Sequence, residues 1–177
     1  MHDGGLSLDD IPEPAPVVGD LVALEPLQVA HAAGLGVVLD DARLHTFIGG
    51  GPATEAELVE RFGRQVTGWS PDRSERWLNW VVRQQTDGRL VGTVQSTVTS
   101  VHGHLVAEVA WVIGTANQGR GYARDAAAAM VGWLRLHGVS GLVAHVHPDH
   151  HASQGIARGL GLTRTGTWHD GEERWER

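Results

Sequence analysis

The chain of 177 residues has no cysteine, and every one of its 14 basic side chains is arginine. Without thiols there can be no disulfide framework, no thiolate zinc site and no cysteine acyl-enzyme, so an acyl transfer would need another nucleophile. Without lysine, and with a net charge of −7 from 21 acidic residues, no cationic stripe is present to track a phosphate backbone, which argues against nucleic acid as a partner. No stretch approaches 18 uninterrupted apolar residues, and the start Met1-His2-Asp3-Gly4-Gly5 is not a basic segment followed by an apolar run. Neither a membrane span nor export is therefore expected, and the expected location is cytoplasmic.

What is present is ordinary globular usage, 41% hydrophobic and 20% charged, which suits one core and not a disordered or fibrous chain. Residues 1–16 carry Asp9, Asp10, Pro12, Pro14 and Pro16 among few large apolar groups and read as a flexible tail ahead of a single domain over 17–177. The acidic balance either concentrates a cationic substrate such as an amine or serves solubility.

A short apolar run between Asp20 and Leu24 stops at Pro26, and residues 27–35 then show helical spacing, so strand then helix is expected. After Gly49-Gly50-Gly51-Pro52, Thr54 with Glu57 three residues on is a capping box that opens a second helix. Residues 77–82, 90–101 and 105–113 alternate as three consecutive strands joined by turns at 86–89 and 101–104. A glycine loop over 114–121 leads into an alanine-rich helix over 122–137, followed by a strand at 141–147, a helix over 149–160 and a closing hairpin around Asp170-Gly171. Trp77, Trp80, Trp111, Trp133 and Trp168 suit core or sheet-face positions, with Trp111 set apart by its place on the strand ahead of the glycine loop.

A glycine loop between strand and helix exposes free N–H groups at the positive end of the helix, a setting for phosphate or pyrophosphate. The loop Gln118-Gly119-Arg120-Gly121-Tyr122-Ala123 lacks the lysine and hydroxyl of a triphosphate loop and follows several strands instead of the first, so neither that pattern nor the dinucleotide one fits. It resembles the Gln/Arg-x-x-Gly-x-Gly/Ala cofactor loop of the GNAT acetyltransferase superfamily, and His147-Pro148-Asp149-His150-His151-Ala152-Ser153 with Leu160-Gly161-Leu162 resembles that family's second block. The resemblance runs from about Leu21 to Trp175 and is closest to the RimJ/RimL-like branch acting on ribosomal-protein N-termini.

The resemblance implies an α/β fold with a mixed sheet, antiparallel through its first four strands and parallel between the fourth and fifth, helices on both faces, and a splay between those two strands. It implies acetyl-CoA as co-substrate, its pantetheine against the backbone of Trp111, Val112 and Ile113, its pyrophosphate on Gln118, Gly119, Arg120, Gly121, Tyr122 and Ala123, and His150 standing where relatives have asparagine. Glu108, a carboxylate inside an apolar strand, is either a rim charge or a general base with a raised pKa that removes the ammonium proton. Ser153 either caps the helix that begins near His150 or protonates the departing thiolate, since Ala157 stands where relatives place a tyrosine. The histidines at 145, 147, 150 and 151 invite a metal reading, but Pro148 and the helix start match the acyltransferase pattern without one, so no metal is expected. The expected reaction is acetyl transfer to a primary amine, a peptide N-terminus or a small molecule, by direct attack in a ternary complex. A catalytically degenerate CoA-binding regulatory module is the alternative, and an exposed strand leaves a homodimer open.

Overall fold

Alternating apolar residues in three consecutive segments build an antiparallel frame, and the rest of the chain packs on its two faces. The computed structural model describes residues 6–177, the side chain of Ile48 excepted. In chain order the elements are β1 (Val17–Val18), β2 (Val22–Pro26), α1 (Ala32–Leu39), α2 (His45–Ile48), α3 (Glu55–Gln65), β3 (Arg76–Gln84), β4 (Leu90–Val101), β5 (His104–Ile113), α4 (Tyr122–Leu136), β6 (Val139–Val146), α5 (His151–Gly159), β7 (Thr163–His169) and β8 (Glu172–Glu176). They form one sheet in the order β1-β2-β3-β4-β5-β6-β8-β7. Every neighbouring pair is antiparallel except β5 and β6, which are parallel and joined through α4.

The period-2 pattern of β3 explains the two layers. Leu78, Trp80 and Val82 face Met130, Trp133 and Leu134 of α4, whereas Val81 faces Leu35 of α1 and Leu58 and Phe62 of α3. Helices thus cover both faces of a mixed sheet, as expected. The capping box of α3 forms as the sequence predicts: Thr54 N–H donates to Glu57 Oε2 at 2.7 Å, and Glu57 N–H donates to Thr54 Oγ1 at 3.3 Å.

The structure departs from the sequence reading in four places. From Leu6 on, the expected tail lies on the sheet: Ile11 is buried, and the buried Arg76 donates to the carbonyls of Pro12 and Gly68 and pairs with Glu13 at 2.9 Å. The Trp80 indole adds a bond to the Ala15 carbonyl at 2.8 Å. A buried guanidinium needs acceptors, and the proline-rich segment supplies free carbonyls because its prolines prevent it from spending them in a helix. Residues 1–5 lie outside the described residues. The helix expected over 27–35 instead begins with a 3-10 turn at Val29–His31 and continues as α1, and the short α2 has no clear sequence signal. Trp168 stands exposed on β7, an edge strand with almost no buried position.

Candidate active site

The parallel pairing of β5 with β6 runs from Leu105↔Val139 to Glu108↔Val143 and stops there. Beyond that rung β6 continues alongside β8 as far as Val146, while β5 stays with β4 as far as Ile113↔Gly92. The two strands therefore part, leaving one edge of β5 without a partner strand. Gly114 N–H donates to the Val91 carbonyl at 2.9 Å, so the alternation of an antiparallel ladder turns the N–H and C=O of Trp111 and Ile113 towards the gap and those of Val112 towards β4. Of the three backbones expected to lie against a pantetheine, those of Trp111 and Ile113 turn to the gap, whereas that of Val112 turns to β4, although Val112 also borders the gap. A Cβ at position 92 would lie 2.0 Å from the Val112 carbonyl oxygen, so this approach of β5 to β4 requires Gly92.

The glycine loop sits at the open end of that edge. A 3-10 turn at Thr115–Asn117 leads to Gln118, whose Nε2 donates to the Ile113 carbonyl at 3.0 Å and ties the loop to the strand. Gly119 and Gly121 have φ of +75° and +83°, a left-handed conformation that side chains resist, and a Cβ at Gly119 would meet nothing within 4 Å. Gly121 is the N-cap of α4, and among the described residues no side chain caps this 15-residue helix. The first-turn N–H groups thus have no side-chain acceptor, the arrangement that fits a phosphate. Arg120 lies exposed in the loop. Ala123, half-buried, begins packing α4 onto the core. Tyr122 turns aside: its hydroxyl donates to Gln84 Oε1 at 2.9 Å, which fastens α4 to the end of β3. Asp125 is also turned aside, accepting N–H bonds from Asp20, Leu21 and Val22 at 3.0, 2.8 and 2.9 Å.

Between the parted strands lies a cavity of about 300 Å³ bordered by Glu108, Trp111, His145, His150, Ser153 and Glu172. The Trp111 indole donates to Ser153 Oγ at 3.2 Å across the gap, and Ser153 N–H donates to His150 Nδ1 at 3.2 Å. The cap of α5 is therefore His150 and not the Ser153 hydroxyl. With its lone pair taken by the indole, that hydroxyl keeps its own proton for a further acceptor. Burial, and then the charges of His147 and His151, push the His150 imidazole below its ordinary pKa, and the ring lies 4.4 Å from that of Phe47. An Nδ1 that accepts a bond implies that the neutral ring carries its hydrogen on Nε2. Ala157, at the position of the missing tyrosine, is fully buried.

Glu108 occupies the last paired rung, 3.1 Å from His145 Nδ1, and its side chain is 57% exposed. Glu108 is thus exposed instead of enclosed by apolar groups, and the partly buried carboxylate at the gap is Glu172 on β8. Burial pushes the Glu172 carboxyl above its ordinary value, the Glu108 charge adds to this, and His145 and His147 oppose it. Glu172 and Phe47 were not legible as site residues, because β8 and α2 reach the gap only in the folded chain, and His145 stood out only as a possible metal ligand. The alternation of His145 with His147 on one strand was the only local hint. Among the described residues no three histidine or acidic side chains gather as metal ligands, and no helix is long and apolar enough to cross a membrane.

Residues 22–163 match the family described as acetyltransferase (GNAT) domain. No curated protein matches the chain. Among solved structures, RimJ of Mycobacterium smegmatis in complex with a CoA disulfide is 17% identical, with a TM-score of 0.74 over 92% of this chain and 85% of that one. An acetyltransferase of Salmonella typhimurium that modifies the N-terminal serine of a 50S ribosomal subunit protein is 15% identical, with a TM-score of 0.70 over 89% and 95%. A GNAT-family acetyltransferase of Bacillus anthracis is 16% identical, with a TM-score of 0.71 over 92% and 96%. At these identities the likeness is one of fold.

Proposed function

The chain belongs to the GNAT acetyltransferase family, an acetyl-CoA-dependent N-acetyltransferase, and from that premise we propose that it acetylates a primary amine held at the Glu108 end of the gap between β5 and β6. The observation that carries this reading is the parting of the two strands beyond Glu108↔Val143, which leaves an open backbone edge and a carboxylate beside one cavity, with the uncapped start of α4 further along the chain from the same strand.

The residues present fit the donor. Trp111 offers its backbone N–H and C=O, and Ile113 its N–H, to an amide-containing chain such as pantetheine, and Gly119, Gly121 and the first turn of α4 offer N–H groups to a pyrophosphate, with Gln118 fixing the loop through the Ile113 carbonyl and Arg120 adding charge. Acetyl-CoA supplies the thioester; transfer forms a C–N bond and breaks C–S, with one proton leaving the amine and one ending on the CoA sulfur. Glu108 takes the ammonium proton. Its exposure lets that proton pass on to water, and His145 holds the carboxylate in place. Ser153 presents an O–H held by Trp111 and is the group positioned to return a proton to sulfur, in place of the tyrosine that Ala157 precludes. A neutral His150 offers Nε2–H where relatives place an asparagine amide. The two acidic side chains suit a cationic acceptor, either a peptide N-terminus or a small amine.

Thermal melting with and without acetyl-CoA, followed by thiol release against amines and N-terminal peptides, tests the proposal. A melting shift with turnover on at least one amine is expected; a shift without turnover on any would overturn the transfer, and no shift would overturn the site.

A further inference from the structure

A second cavity, of about 320 Å³, opens on the α1–α3 side of the sheet and shares Thr93, Gln95 and Val112 with the gap. Its charge is opposite to that of the gap. The gap carries Glu108 and Glu172, whereas among the described residues no carboxylate lines the second cavity, although the chain has 21 acidic residues against 14 arginines. Its one permanent charge is Arg61 on α3. The neighbouring arginines are engaged: Arg64 pairs with Glu60 and Arg76 with Glu13. Arg61 has no acidic partner among the described residues; its guanidinium lies only over the Phe62 ring, 5.6 Å from the centroid. Arg61 stands exposed on the cavity rim, yet the protein around its head group desolvates the cation enough to lower its pKa, with the Arg64 charge adding to the effect. The rest of the lining is apolar or neutral polar, from Leu58 and Phe62 to Asn79, Thr93 and Gln95, with the His45 imidazole beside them.

We infer that the acceptor carries a carboxylate, bound by Arg61 in this cavity while its amine lies at Glu108. This rests on the acyltransferase reading above and narrows its substrate. Two linked cavities of opposite charge select a molecule with opposite charges at its two ends, and a guanidinium with no internal partner has no ion pair to break when it receives one. The carboxylate belongs either to a free amino acid or to an acidic side chain near a peptide N-terminus, and both present the same chemistry to Arg61.

The test measures initial rates of thiol release with the full chain and acetyl-CoA. The acceptors are short peptides with Glu scanned through the first three positions, their Gln counterparts, and free glutamate against glutamine. At least one acidic acceptor should exceed its amide in kcat/KM by roughly three- to tenfold, chiefly through KM. That preference should collapse in Arg61→Gln, persist in part in Arg61→Lys and survive in Arg64→Gln, with the KM for acetyl-CoA unchanged in all three. Preference among the free amino acids alone identifies a small-molecule acceptor, and preference among the peptides a protein N-terminus; either supports the inference. Turnover with no acid preference, or a preference that Arg61→Gln leaves intact, overturns the inference while sparing the acyltransferase. Absence of turnover on every amine overturns both.

Discussion

The Glu108 carboxylate lies 3.1 Å from His145 Nδ1 at the rung where β5 and β6 last pair. The carboxylate is thereby held at the vertex of the gap by the strand that turns away from it. Glu108→Gln keeps the shape and removes the basic oxygen, so kcat/KM should fall about tenfold or more and the acid limb of its pH profile should flatten. The acetyl-CoA-induced rise in melting temperature should be retained. His145→Gln should cost less and leave the limb in place. An unaltered limb in Glu108→Gln would remove Glu108 from the role of base.

The glycine loop makes a prediction about binding instead of rate. Gly121→Glu places a carboxylate at the left-handed N-cap of α4, where N–H groups await a phosphate, and its Cβ would also press on Leu21 Cδ1 at 3.3 Å. Protection by acetyl-CoA against melting should disappear. Undiminished protection would show that the pyrophosphate lies elsewhere.

Asp125 holds the start of β2 through three N–H bonds, two of them exposed and the one to Val22 partly buried. Asp125→Ala strands those donors and should lower unfolding free energy by about 2 to 3 kcal/mol in urea titration. A loss below about 0.5 kcal/mol would mean that water replaces the carboxylate.

His150 makes stability depend on pH. Its folded pKa lies below the ordinary 6.5, chiefly because burial disfavours the cation, so between those two values the unfolded chain binds a proton that the folded chain refuses. Stability is fully present above about 6.5 and declines as pH falls from there to the folded pKa. His150→Asn preserves the cap of α5 without a titrating group, so the difference between urea midpoints at pH 8 and pH 5.5 should shrink relative to the parent. An equal difference in both proteins would place the titration elsewhere.

The strands over 77–113, the glycine loop, α4 and the capping box of α3 were legible in the sequence because each is written in local terms: alternation, φ-permissive glycine, helical spacing, a cap three residues from its partner. The same locality explains the misreadings. Prolines at 12, 14 and 16 look like a tail until Arg76, more than 60 residues away, is buried against that segment's carbonyls. Ser153 looks like a cap until His150 takes the bond and Trp111 takes the hydroxyl.

The sequence by itself determined which segments become strands and helices, that a glycine loop precedes α4, and that the chain has no cysteine thiol to offer. Only the tertiary structure decided that β5 and β6 part after Glu108, that Val112 turns its backbone to β4, and that His145, Glu172 and Ser153 meet at one gap. The reason is physical. Propensities and caps act over a few residues, whereas the position of a charge in a cavity is set by strand order and by the burial of groups far apart in the chain, and no local pattern carries that information.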